Sequence, residues 1–204
     1  MAFGRIAGMA LPLIAATLAA TPGLAEESGR CGMYPDAVYA TLYAWSDCLL
    51  RDIGEKPLWH GVTHRDYRQQ IRFTFTQGHA AYTKVIDFAE RPDRTGILTF
   101  THAAYEDGVA TIRERRRYKV SAADVAKLDA LAVATGNWAF TTGSWDGDEM
   151  YMHCQILDME RVNADGYRYS SVNIGCNHPD KLMPLVDFLT GLAKLQPSAD
   201  GRLY

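Results

Sequence analysis

The 204-residue chain lacks a hydrophobic run long enough to cross a membrane as a helix. Its longest, from Ala10 to Ala20, falls well short of the roughly twenty residues a bilayer requires. Nor is there a strong excess of either charge: 21 Lys and Arg oppose 24 Asp and Glu, for a net charge of −3. That mild acidity argues against a general nucleic-acid binder, which needs a basic surface. No internal repeat, low-complexity tract or domain linker interrupts residues 26–204, so they are expected to form a single domain. The chain has no Gly-x-Ser-x-Gly turn and no Cys-x-x-Cys pair. The first absence removes a common presentation of a nucleophilic serine. The second weakens a zinc site. No cofactor motif is present.

What is there begins with residues 1–25, which have the parts of a cleavable secretory signal. Arg5 is the only charge, the apolar stretch follows, and Thr21-Pro22-Gly23-Leu24-Ala25 leads into Glu26-Glu27. Small Gly23 and Ala25 suit the shallow pockets of a signal peptidase, and cleavage is expected after Ala25. No cysteine sits at the cut, so a lipid anchor is not expected. No transmembrane segment would remain after cleavage, and the predicted location is periplasmic or secreted.

Four cysteines follow, Cys31, Cys48, Cys154 and Cys176. An even number in an exported chain implies disulfides, and four allow three pairings. Residues 151–162 and 167–176 read as two strands joined through Asp165-Gly166. A three-residue loop with Gly166 in the left-handed position sets Asn163 opposite Tyr167. The same number of residues further along each strand, Cys154 then faces Cys176 at a site where side chains come close. Cys154–Cys176 is the expected cross-strand disulfide, which leaves Cys31–Cys48.

The remaining elements read as an α+β protein. A helix is predicted over 36–53, where Val38, Leu42, Trp45 and Leu49 recur at helical spacing and Gly54 can end it. Ile71–Thr76 alternates apolar and polar. Tyr82–Phe88, Ile97–Tyr105 and Val109–Lys119 follow, separated by Arg91–Gly96 and by Asp107-Gly108, and the four strands read as an antiparallel meander. Ser121 then caps a helix with Asp124 three residues on, and Gly136 can close it. A last helix is predicted over 180–195, its regular part following Pro184. The expected architecture is a four-strand meander plus a disulfide-bridged hairpin, with three helices mainly on one face.

Glu55-Lys56-Pro57-Leu58-Trp59, the strand over 67–75, a basic strand running into the Ser121 helix, Asn137-Trp138 and Asp146-Gly147 occur in this order. Together they resemble a family of exported bacterial α+β proteins of unassigned function, over most of residues 55–195. Members often carry a glutamate a few residues after the Asp-Gly, where this chain has Met152-His153-Cys154. The resemblance implies the fold and the export. It brings no activity.

Candidate sites divide by chemistry. Asp146, Asp148 and Glu149 form a short acidic cluster that could suit a hard cation, but the longer ligand ladder of a calcium loop is absent. His60 and His64 are four apart, yet Gly61-Val62-Thr63 between them makes a poor helix. Ser144 sits beside Trp145 and Asp146 in ordinary loop surroundings, and the cysteines are committed to disulfides, which leaves no legible catalytic residue. On an extended chain Arg113, Arg115, Arg117 and Lys119 project to one face. Such a row calls for an anionic partner or for acids on a neighbouring strand; it also guards an edge strand against aggregation. Trp138 and Trp145 lie in the loop beyond the second predicted helix and could form a recognition patch. The expectation is a small exported binding protein that recognises an envelope or secreted protein, or an anionic envelope component, as inhibitor or accessory factor. The alternative is a hydrolase or metal-dependent enzyme whose residues are dispersed along the chain.

Overall fold

Asp107 and Gly108 both have positive φ, 52° and 78°, the backbone of a two-residue hairpin turn whose twist matches its strands. That turn joins β3 (Gly96–Glu106) to β4 (Val109–Val120). With β1 (Gln69–Gln77) and β2 (Ala80–Glu90) these strands form the predicted meander. The computed structural model describes residues 30–39, 46–60, 66–77, 80–136, 155–174 and 180–195. A second hairpin, β5 (Gln155–Asn163) and β6 (Gly166–Asn173), returns to the free side of β1. The result is one antiparallel six-stranded sheet in the order β4-β3-β2-β1-β5-β6.

Four helices are described, one more than predicted. Of the helix expected over 36–53, the described residues show α1 (Asp36–Tyr39) and α2 (Asp47–Asp52), and residues 40–45 lie outside them. The polar grip of Asp47 accounts for the second beginning where it does. Its buried carboxylate accepts from the Cys31 and Met33 backbone N–H groups, the latter at 2.8 Å, and from the Tyr39 hydroxyl at 2.7 Å. Gly54, at φ 81°, closes α2 as predicted. Cys31 and Cys48 are joined by a disulfide, as expected. α3 (Ala122–Thr135) matches its sequence signals: Ser121 accepts from the Asp124 N–H at 3.2 Å, and Gly136 takes the left-handed position. α4 (Met183–Leu192) carries Pro184 in its first turn, where the missing N–H costs nothing.

The helices do not share one face of the sheet. α3 and α4 bury Val125, Leu128, Leu185, Val186 and Leu189 against Ile71, Phe73, Phe75, Phe88, Leu98, Phe100, Leu157 and Met159. Gly96 admits the Phe88 ring here, since a Cβ would lie 2.4 Å from it. The opposite face is covered by the disulfide-linked segment. Met33, Tyr34, Val38, Leu49, Leu50 and Ile53 pack there on Val85, Ala103 and Tyr169. The prediction of helices mainly on one face missed this second layer because its cover is short and irregular.

The second hairpin also differs in register. Asn163 pairs with Gly166, and Val162 with Tyr167. Asn163 Oδ1 accepts from the Asp165 N–H at 3.0 Å and tightens the loop to Ala164-Asp165. The register that predicts a Cys154–Cys176 pair is therefore displaced by one residue within the described part of the hairpin. Both cysteines lie outside the described residues.

Candidate functional site

Alternation along β1 sends Ile71, Phe73 and Phe75 to the α3/α4 side and Gln70, Arg72 and Thr74 to the other. That second side is polar, yet buried. Arg72 stands directly across from Asp87 on β2 and Glu160 on β5. Cross-strand register therefore delivers an acid to the arginine from each side. Its guanidinium donates to Asp87 Oδ2 at 2.9 and 3.1 Å and to the Lys56 carbonyl at 2.9 Å. Glu160 lies at 3.5 Å and Glu55 at 3.8 Å. The Arg72 side chain is 2% exposed. Burial disfavours its charge, but Glu160, Asp87 and Glu55 outweigh that and hold its pKa above the usual arginine value.

For Glu160 and Asp158 burial outweighs the neighbouring groups instead. Burial pushes the Glu160 carboxyl up to about 7, against the opposing pull of Arg72 and of the Tyr167 hydroxyl donating at 3.0 Å. Burial likewise raises Asp158 to about 6, although Tyr169 donates to it at 2.7 Å. Tyr34 packs edge-to-face on Tyr169 and shares a 3.0 Å hydrogen bond with Ser46. This polar layer fastens the disulfide-linked segment to the sheet.

Above it, the chain from Gly54 to Leu58 roofs a cleft of about 350 Å³. Arg72 forms part of its wall with Glu55, Tyr67, Gln70, Asp87, Thr99 and Arg115. Arg115 donates to Glu55 Oε1, to the Ile53 carbonyl and to the Thr101 hydroxyl, each at 3.1 Å. Burial raises the Glu55 carboxyl, the nearby arginines opposing. Gln70 is 9% exposed, and its carbonyl oxygen has no hydrogen-bond partner among the described residues.

No protein-family model matches the chain, and no curated protein sequence matches it. Its chemistry is read from its own residues.

The basic row predicted on β4 is split. His102 pairs with Glu114 and Ala103 with Ile112, so Arg113 is the extra residue of a bulge. It ion-pairs with Glu106 and lines a depression with Tyr82 and His102, apart from the cleft that Arg115 enters. Arg115 is a structural clamp on Glu55. Arg117 and Lys119 are exposed and make no ion pair among the described residues. Trp138, Trp145, Asp146, Asp148 and Glu149 lie outside the described residues, as do Ser144 and His64. His60 is exposed against the Trp59 ring. Cys31, Asp47 and Cys48 converge closely, but both sulfurs are spent in the disulfide.

Arg72, Asp87, Asp158 and Glu160 escaped the sequence reading because polar strand positions were assigned to solvent. One signal was available. Asp158 and Glu160 recur at the strand period between apolar residues, and an acid row beside a strand with a lone central arginine invites pairing.

Proposed function

We propose that the chain is an exported binding protein, periplasmic or secreted, that recognises an envelope or secreted protein through the edge of its sheet. The observation that carries this reading is the character of β4. It is a twelve-residue strand at one end of the sheet order. Val109 and Ile112 on it are 64% and 40% exposed, and Arg117 and Lys119 lie toward its other end. An edge that pairs with no further strand among the described residues, and that carries apolar and basic side chains, suits strand addition by a partner with acidic flanks. The Cys31–Cys48 disulfide fits an oxidising compartment. Among the described residues no helix is long and apolar enough to cross a membrane.

The test is a crosslinked pull-down from the source cell's own envelope. Arg117→Glu with Lys119→Glu is expected to abolish capture of a dominant partner while shifting stability by no more than about 0.5 kcal/mol, as surface changes do. Arg115 must stay, because its loss would disturb the fold. Capture that survives the double change would make β4 ordinary surface.

The same reading has Cys154 bonded to Cys176, since Cys31 and Cys48 already hold each other. A peptide map under non-reducing conditions should recover that link. Free thiols at both positions would remove it.

A further inference from the structure

We infer that the cleft beneath the Gly54–Leu58 segment binds a neutral, hydroxyl-rich ligand of the saccharide class, separately from any partner at β4. The argument starts from Gln70. Its cross-strand neighbours are Ala89 on β2 and Val162 on β5, and neither side chain can donate a hydrogen bond. Among the described residues its amide oxygen is therefore left without a partner, on a nine-tenths buried side chain lining the cleft. Buried polar groups are nearly always satisfied, so an orphan of this kind needs an explanation. A donor entering the cleft supplies one, with rotation of the terminal amide turning the oxygen toward it.

The charges decide what kind of donor. Arg72 and Arg115 both reach Glu55, and Arg72 also holds Asp87 and Glu160. An anion would meet Glu55 and Asp87, and a cation would meet the two guanidinium groups. A neutral ligand with adjacent donors and acceptors avoids both conflicts. Sugar hydroxyls have that character, because each can donate to a carboxylate or to Gln70 and accept from arginine or Thr99. Half-buried Tyr67 adds apolar surface for the C–H face of a ring. The volume, about 350 Å³, falls near the lower end of small-molecule sites.

The experiment titrates the purified chain with glucose, N-acetylglucosamine and their short oligomers, with inorganic phosphate and spermidine as charged probes. Binding is followed by heat and by backbone amide shifts. At least one saccharide should bind at millimolar concentration and shift amides at 54–58, 67–72 and 99. Gln70→Leu should weaken that binding about tenfold or more without lowering the melting temperature, because it removes an unsatisfied oxygen from a folded core. Thr99→Val, which keeps its shape, should weaken binding too. The inference is overturned if no saccharide shifts these amides, if Gln70→Leu binds as tightly as the parent, or if only phosphate or spermidine occupies the cleft. Two strands separate Gln70 from Arg117 and Lys119. Thr99→Val, although Thr99 pairs across the strands with Arg117, leaves both charges in place. Failure of Gln70→Leu here therefore leaves the β4 reading to its own test.

Discussion

Replacing Arg72 with methionine should destabilise the protein by about 3–5 kcal/mol, the loss typical of stranding buried charge by removing one partner. Methionine fills much of the space, so packing is the smaller part of the effect. The larger part is electrostatic. Asp87, Glu160 and Glu55 all depend on this one guanidinium, and Arg115 reaches only Glu55 among them. The Lys56 carbonyl loses its donor as well. Lysine should recover part of the loss by keeping the charge, but not the fork that serves several acceptors at once. Urea unfolding at pH 7 measures the cost, and adding Glu160→Gln to the methionine variant should return some of it. A loss below about 1 kcal/mol, the range of exposed ion pairs, would mean that the cluster is solvated and not buried.

Stability should also fall as pH rises from about 4 to about 7. Glu160 has an ordinary value of 4.5 and is pushed up to about 7 in the fold, and Asp158 moves from 3.8 to about 6. Both therefore bind protons more tightly folded than unfolded. Their contribution to stability is fully present below the unfolded values and is lost as pH rises through the folded ones. With shifts of about two units, each amounts to roughly 3 kcal/mol at the far end of its window. The groups facing them are Arg72, Asp87, Tyr34, Tyr167, Tyr169, Ser46 and Ser171. Only Arg72 opposes the shift as a charge, while hydrogen bonds from Tyr167 to Glu160 and from Tyr169, Ser171 and Ser46 to Asp158 oppose it too. Below pH 4 the exposed Asp52 and Asp93, held low by their hydrogen bonds, act in the opposite direction. Glu160→Gln should flatten the upper part of the profile and leave the part due to Asp158. A stability curve that is level or rising between pH 5 and 7.5 would contradict this account.

Local signals were legible where a few adjacent residues decide the backbone. Ser121 and Gly136 bounded α3 because cap and stop are both contained in the helix and its flanks. Asp107-Gly108 located its hairpin for the same reason. The second hairpin was found, but its register slipped by one residue, because Asn163 folds onto Asp165 in preference to the looser loop. The β4 bulge could not be seen either. Alternation in a basic strand looks the same with or without an extra residue, and Arg113 left the row for Glu106. The charged layer was hidden by the rule that polar strand positions face water. That rule fails when a disulfide-linked segment covers the second face. Only the pairing of β5 with β1, between residues far apart in the chain, reveals that Arg72 has two acids beside it.

That pairing bears on the order in which the protein can assemble. β1 gains β2 from the next stretch of chain, but its other neighbour arrives only after α3 has been made. The segment around Cys31 and Cys48 is synthesised early, yet its seat needs Asp158, Glu160, Tyr167 and Tyr169 from near the far end. Contacts so distant in sequence slow folding, since a long loop must close before any of them form. The meander can collapse while the chain is still emerging. The second face is complete only once the last hairpin has docked, and until then Arg72 lacks Glu160, one of the two acids that flank it across the strands.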